Sequence, residues 1–160
     1  MSKPNWFVTN LSDCPWMTTQ RFGPWANLEL HGTFPHFGVN VHILQPGQPA
    51  CLYHRENQQE DFLVLHGACK VLIEEQEVPL KAWDFVHCEP GATHVFVGAG
   101  DGPCAILMIG ARRSPQELTY PVSPLAAKYG ASAAKETNDP REAYAGTDPR
   151  QPTKVAWPLS

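Results

Sequence analysis

Two short segments of the chain hold most of the side chains that could bind a metal ion. The first contains His54, Glu56 and Glu60, and the second ends at His94. Imidazole nitrogens and carboxylate oxygens are common ligands of divalent metal ions. A carboxylate beside such an ion can also move a proton to or from a substrate. These residue types are therefore candidates for a metal site, with acid–base chemistry as a further use of one carboxylate.

Strand geometry indicates how these side chains could meet. Residues two apart in a strand point to the same face, so Leu52, His54 and Glu56 are expected to project together. The polar stretch 57–59 is typical of a turn, after which Glu60 faces the same interior from the next strand. The first segment therefore directs one histidine and one or two carboxylates toward a single point.

The second segment brings another histidine to that interior. Pro90 and Gly91 predict a turn that delivers His94 onto a further strand, with Phe96 on the same face. Two positions stay open for His42, on the strand before the first segment: the pocket lining, or a surface or hydrogen-bonded position in the sheet. The inward-facing apolar residues of the predicted substrate pocket are Leu52, Phe62, Val64 and Phe96. Such a pocket suits a small organic molecule that chelates the metal through oxygen atoms.

The elements that must hold these segments are short strands. The length of 160 residues suits one domain, and 16 prolines with 12 glycines disfavour a helical bundle. Short apolar or alternating runs, each bounded by Gly, Pro or Asn, lie at 7–8, 28–30, 37–44, 50–54, 62–65, 70–73, 84–88, 94–97 and 104–109. Their regular spacing predicts an all-β sandwich or barrel.

The composition changes after residue 113. Ser123 and Asp139, each followed by proline, are typical helix N-caps, and Glu142 gives the second start the form of a capping box. The last residues predict an extended arm, docked or frayed. Its possible anchors are Val155, Ala156, Trp157 and Leu159. We expect a β-barrel with N-terminal strands over 1–113, and short helices with an extended arm packed on the barrel over 114–160.

The two segments together resemble the two sequence motifs of the cupin superfamily. His54, Glu60 and Gly67 match the first motif, and Glu56 stands where a second histidine is usual. The residues that match the second motif are Asp84, Pro90, Gly91 and His94. Trp83 stands where this second motif usually has glycine.

This resemblance, carried by residues 39–110, implies a double-stranded β-helix, or jelly roll, with short C-terminal helices. It implies a divalent metal ion (Mn, Fe, Ni or Zn) at one end of the barrel, with His54, Glu60 and His94 as ligands. Glu56 is then either a non-standard fourth ligand or a general base within reach of a substrate. A second carboxylate among the ligands would favour Mn²⁺ or Fe²⁺ over zinc.

The function implied by the resemblance is that of a metal-dependent enzyme. It would act on a small, oxygen-chelating organic substrate as an oxygenase (such as a dioxygenase), an isomerase or a lyase. The alternative is a cupin module that binds a metal or a small molecule without turnover. A purely structural dimerisation module is disfavoured, because polar groups aimed inward are costly to bury without a ligand.

Charge and cysteine content bear on partners and location. The net charge of −4 argues against nucleic-acid binding, and no apolar run approaches the roughly 20 residues of a membrane span. The five cysteines are scattered and predict reduced thiols in a soluble, cytoplasmic protein. We expect a homodimer that pairs exposed sheet edges. The histidines that we expect not to be ligands are His31, His36, His66 and His87.

Overall fold

A computed structural model of the chain describes residues 5–156. Its strands are β1 (Trp16–Thr18), β2 (Trp25–Asn27), β3 (Phe37–Leu44), β4 (Arg55–Glu56), β5 (Glu60–His66), β6 (Ala68–Ile73), β7 (Gln76–Lys81), β8 (Phe85–Cys88), β9 (His94–Ala99), β10 (Cys104–Ala111), β11 (Leu118–Thr119) and β12 (Gln151–Thr153). The helices are a 3-10 turn (Leu11–Asp13), α1 (Pro124–Ala127) and α2 (Pro140–Ala143).

Two antiparallel sheets enclose the main core. One has the strand order β12-β1-β2-β3-β10-β5-β8 and the other β7-β6-β9, while β4 and β11 form a separate pair. Side chains from both sheets meet in the core, whose buried members include Phe62, Val64, Val71, Phe96 and Ile106. The fold is therefore the expected all-β jelly roll, a double-stranded β-helix with short C-terminal helices.

The segment 50–54 is not the strand that its apolar pattern predicted. Within it only His54 forms an isolated bridge, and the regular pairing of β4 begins at residue 55. The amide of Tyr53 donates to the carbonyl of Ala131 at 2.7 Å instead of to a neighbouring strand. The C-terminal part of the chain thus forms a hydrogen bond that a neighbouring strand would form in a sheet. The side chains from Leu52 onward therefore do not alternate between two faces as a regular strand would require.

Other strand predictions also differ from the structure. The run 37–44 coincides with β3, but the runs 7–8 and 28–30 are not strands. The elements β1, β2, β4, β7, β11 and β12 lie outside the predicted runs. In β7 most side chains are exposed, so the strand is held by pairing with β6 and carries little hydrophobic signal.

The C-terminal part of the chain packs on the two sheets. Ser123 caps α1 by accepting a hydrogen bond from the amide of Ala126, and the Asp139 side chain accepts from the amide of Arg141 at the start of α2. The expected capping box is incomplete, because the Glu142 carboxylate accepts from the Thr137 hydroxyl. Each helix is a single turn, so tertiary packing rather than helix propensity holds this region.

The final arm is docked through β12. This strand pairs with β1 and so extends the larger sheet at its end. Val155 packs beside the cluster formed by the N-terminal strands, whereas the predicted anchors Trp157 and Leu159 lie outside the described residues. Within residues 5–156, none of the helices is long and apolar enough to cross a membrane. All five cysteines carry free thiols, as predicted.

Candidate metal centre

His54 and His94 lie opposite each other across an antiparallel bridge at one end of the barrel. The amide of His54 donates to the carbonyl of His94 at 3.2 Å, and the amide of His94 donates to the carbonyl of His54 at 2.9 Å. Their ring centroids are 5.3 Å apart. The backbone pairing therefore fixes the separation of the two imidazoles before any ligand arrives.

A backbone carbonyl oxygen also orients each imidazole through its Nδ1 atom. Nδ1 of His54 lies 2.8 Å from the carbonyl oxygen of Leu52, and Nδ1 of His94 lies 3.0 Å from that of Ala92. A carbonyl accepts only, so each Nδ1 carries the hydrogen and each neutral ring keeps the Nε2 lone pair free. Metal-binding histidines commonly show this arrangement, in which a backbone oxygen orients the ring.

Glu60 completes a group of three metal-capable side chains. It begins β5, and its Oε2 lies 3.4 Å from Nε2 of His94. One ligand atom from each of His54, Glu60 and His94 can be chosen so that all lie within 4.8 Å of one another. The ring of Phe62 packs against His94 with a centroid distance of 5.1 Å, which helps to hold the imidazole in place.

Glu56 lies beside this group but is not a member of it. Its Oε1 is 3.7 Å from Nε2 of His54, and its Oε2 accepts a hydrogen bond from the Gln116 amide at 3.0 Å. Burial acts to raise the pKa of Glu56, but the neighbouring His54 imidazole and the hydrogen bond from Gln116 lower it overall. An ionised carboxylate therefore lies at the rim of the centre. Among the described residues, no arginine forms an ion pair with Glu56 or Glu60.

A cavity of about 340 Å³ opens over these side chains, and we call it the metal-site cavity. Seven of the predicted site residues line it: His42, His54, Glu56, Glu60, Phe62, His94 and Phe96. Two do not. Leu52 packs with Phe22 and Tyr120 in a separate cluster, because its segment is not a regular strand. Val64 lies deeper along β5, inside the core.

The middle of the chain, residues 40–110, matches the cupin domain family. This stretch is a cupin domain. None of the functionally curated proteins matches the chain.

Two solved structures with related sequences are similar to this chain. A putative sugar phosphate isomerase from Acidithiobacillus ferrooxidans has 25% identity and a TM-score of 0.55 over 62% of this chain and 66% of its own. A cupin-superfamily sugar phosphate isomerase from Silicibacter pomeroyi has 28% identity and a TM-score of 0.55 over 59% and 62%. The chain thus spans less than two thirds of the length of either isomerase.

A third solved structure is similar in fold alone. The polyketide cyclase RemF from Streptomyces resistomycificus has 14% identity and a TM-score of 0.59 over 69% of this chain and 83% of its own. Proteins named for different reactions thus share this architecture, so the chemistry must be argued from the residues of the site.

Burial and mutual charge separate the pKa values of the site residues in the cupin domain. Burial raises the pKa of Glu60 to about 7 against the opposing pull of His54. Burial, followed by repulsion from His54, lowers the pKa of His94 to about 4. Burial acts to lower the pKa of His54 too, but Cys51 and the two carboxylates hold it well above its ordinary value. Without a metal, the surroundings therefore favour the protonated form of His54 and the neutral form of His94.

The donor set of the cupin domain fits a divalent metal ion. Two imidazole Nε2 atoms and one carboxylate oxygen converge, and both imidazoles are already oriented through Nδ1. Such a set leaves coordination positions open for oxygen atoms of a substrate. His94 is only 2% exposed, so a cation there would be shielded from water on one side.

Sequence reasoning missed several residues around the site. Asn40, Cys51, Arg112 and Gln116 also line the metal-site cavity, which is more polar than the apolar pocket expected. The Cys51 thiol lies 3.8 Å from Nδ1 of His54. The inward parity of Asn40 with His42 on β3 was available in the sequence. Gln116 lies in a loop 60 residues from Glu56 and had no such signal.

Proposed function

We propose that the cupin domain binds a divalent metal ion through His54, Glu60 and His94. We further propose that it acts as an isomerase on a small hydroxylated carbonyl compound, with Glu56 as the general base. The observation that carries this proposal is the convergence of the three donor side chains within 4.8 Å of one another. The isomerase assignment draws support from two similar proteins that are named as sugar phosphate isomerases.

Each residue has a distinct task in this mechanism. A bound divalent ion would supply Lewis acidity toward a substrate carbonyl oxygen, which acidifies the neighbouring C–H bond. Glu56 takes the proton from that carbon and returns it to the former carbonyl carbon. The proton of the neighbouring hydroxyl moves to the former carbonyl oxygen, so that the C=O group moves by one position. Its lowered pKa keeps the carboxylate ionised at neutral pH, and Gln116 holds Oε2 so that the side chain is oriented.

Metal analysis of the untagged protein tests the binding step. After incubation with Mn²⁺, Fe²⁺, Ni²⁺ or Zn²⁺ and dialysis, we expect about one ion per chain in the wild type. We expect none in His94→Ala, because a pair of ligands holds the ion too weakly. His87→Ala is the matched control, since that exposed histidine pairs with Asp61 outside the site. Full occupancy in His94→Ala would overturn the ligand assignment.

Solvent isotope exchange tests the catalytic step. Metal-loaded protein is incubated in D₂O with a panel of aldoses, ketoses and their phosphates, and deuterium at the carbon next to the carbonyl is measured by mass spectrometry. We expect exchange by the wild type and a loss of about 10²-fold or more in Glu56→Gln with metal content unchanged. Metal binding without exchange on any member of the panel would favour a binding module without turnover.

We also propose the homodimer that the exposed sheet edges predict. One terminal strand of the larger sheet is β8, where Phe85 is exposed. Light scattering during gel filtration should give twice the chain mass for the wild type and the single-chain mass for Phe85→Asp. A monomeric wild type would contradict this proposal. The cytoplasmic location stays a prediction.

A further inference from the structure

A second cavity of about 420 Å³ lies next to the metal-site cavity. One side is formed by β2 and β3, and the other by the segment 144–150, which we call the roof segment. The two cavities share the lining residues Asn40, His42, Ala50 and Cys51. No more than one layer of side chains therefore separates the second cavity from the candidate metal centre.

The roof segment is fixed to the barrel at both ends. At one end the hydroxyl of Tyr144 accepts a hydrogen bond from the amide of Leu52 at 3.2 Å. At the other end the Asp148 carboxylate accepts from the amide of Gln20 at 2.7 Å, just before β12 pairs with β1. The space beneath it is thus a defined feature of the fold.

Three residues that line this cavity carry buried polar atoms without a protein partner. These atoms are Oδ1 of Asn40, Nδ1 of His42 and Oγ1 of Thr147. Among the described residues, only Gln58 has another such atom. Buried polar groups without hydrogen bonds are rare and cost stability, so three around one cavity point to a missing partner. A molecule held between β3 and the roof segment could supply that partner.

The same cavity has an aromatic wall. The rings of Trp25 and His42 are stacked with centroids 6.2 Å apart, and the guanidinium of Arg150 lies 5.5 Å from the Trp25 ring centre. Phe22 adds a further apolar surface. A ligand here can therefore place an apolar ring face against aromatic carbon while its edge makes hydrogen bonds.

The unpaired atoms indicate the polarity of the ligand. Asn40 and Thr147 are uncharged side chains, and burial lowers the pKa of His42 to about 4, so its imidazole is neutral at neutral pH. An oxygen acceptor, an imidazole nitrogen and a hydroxyl do not compensate a buried charge, and the two charged lining residues, Asp148 and Arg150, are opposite in sign. Groups that both donate and accept hydrogen bonds, such as alcohol hydroxyls, match all three.

We propose that the second cavity binds the uncharged, polyhydroxylated part of a small molecule, between Trp25 on one side and Thr147 on the other. The further step, that the same molecule reaches the metal ion with its other end, rests on the proposed function. Binding to the second cavity itself requires no metal.

Titration of metal-free protein with simple probes tests this site. Amide chemical shifts are followed by NMR in EDTA as myo-inositol, D-ribose or cyclohexanol is added. We expect at least one of the two polyols to shift the amides of the roof segment and β3, and to bind at least fivefold more tightly than cyclohexanol. We expect Thr147→Val to weaken polyol binding at least fivefold, and Thr33→Val, an exposed threonine, to leave it unchanged.

The thermal stability of two variants gives a second readout. If the Thr147 and Asn40 side chains had only a structural role, replacing them would destabilise the protein. Thr147→Val and Asn40→Leu each remove a buried unpaired atom, so the ligand-free variants should melt at or a few °C above the wild type. Failure of both polyols to bind would overturn the proposal. So would a clear loss of stability in both variants, because it would mean that ordered water satisfies these atoms. The two proposals can fail separately. If a polyol binds to the second cavity but His94→Ala keeps its full metal content, the second site is upheld and the metal centre is rejected.

Discussion

Nδ1 of His54 and Nδ1 of His94 each face the carbonyl of the residue two positions earlier, at 2.8 and 3.0 Å. The two histidines also exchange both of their backbone hydrogen bonds. The candidate metal centre therefore has two imidazoles held by one local arrangement, and the Nε2 atom of each lies near a carboxylate oxygen. Reorganisation on metal binding should be small, since the backbone already sets both rings.

Metal affinity should fall steeply as the pH drops below 7. Burial raises the pKa of Glu60 to about 7, and the pKa of His54 also lies above its ordinary value, so one or two protons must leave before metal binds. The apparent affinity should then decrease about 10- to 100-fold per pH unit below pH 7. Calorimetric titration with Mn²⁺ between pH 5.5 and 8 measures this. An affinity that does not change with pH would contradict the role of Glu60 as a ligand.

In the absence of metal, Glu60→Gln should stabilise the protein at pH 8. A carboxyl with a raised pKa in the folded state favours folding when protonated, so its ionisation destabilises the fold as pH rises from about 4.5 to 7. In EDTA, urea unfolding should give the variant a higher free energy of unfolding at pH 8 and little difference at pH 4. Added metal should stabilise the wild type alone. A variant that is less stable at pH 8 in EDTA would contradict the prediction.

Trp83→Gly should stabilise the fold. Trp83 has φ +75°, a left-handed conformation that costs a residue with a Cβ about 1 kcal/mol or more, and its side chain is 75% exposed. Glycine removes this cost and sacrifices little buried surface. Trp83→Ala is the matched control, because it loses the ring but keeps the Cβ. Thermal unfolding should rank glycine above both tryptophan and alanine, and equal melting temperatures for glycine and alanine would contradict the explanation.

Glu29→Gln should destabilise the protein at pH 7 by about 1–2 kcal/mol, but not at pH 2. The Arg112 guanidinium forms a two-pronged ion pair with Glu29 and, as the largest influence, lowers the pKa of that carboxyl to about 2. The expected loss of stability is smaller than the pKa shift alone would give, because Arg112 is 38% exposed and water screens the ion pair. This stabilisation is present above about pH 4.5 and is lost as the pH falls toward 2.

Glu136→Gln provides the control for the ion pair. Glu136 is exposed, and its substitution should change stability little at any pH. Urea unfolding at pH 2, 4.5 and 7 compares the two variants. A loss in Glu29→Gln that is equally large at pH 2 would assign the effect to packing rather than to charge.

Leu52→Ala should lower stability and leave metal binding intact. Leu52 is fully buried with Phe22 and Tyr120, outside the metal-site cavity, so truncation should cost about 2–4 kcal/mol. Metal affinity is measured by calorimetry below the unfolding transition. Its backbone carbonyl, which orients His54, is unchanged by the substitution. A large loss of metal affinity in folded Leu52→Ala would place this side chain in the site after all.

The sequence alone determined the local features of this protein. Short bounded apolar runs predicted an all-β fold, and proline after Ser123 and Asp139 marked both helix starts. Motif spacing identified the cupin resemblance, and that resemblance grouped His54, Glu60 and His94 as candidate ligands. The fold brings these three side chains together. These features are readable because strand parity, turn chemistry and helix caps depend on residues close together in the chain.

Only the tertiary structure decided the relationships that long-range contacts impose. Leu52 faces away from the cavity because residues 52 and 53 bond to Tyr144 and Ala131, far along the chain. The side-chain partner of Glu56 is Gln116, and the roof over the second cavity comes from residues 144–150. No periodicity encodes such contacts, since each depends on where a distant segment docks. The physical reason is that a backbone group bonds to whichever partner folding brings within reach.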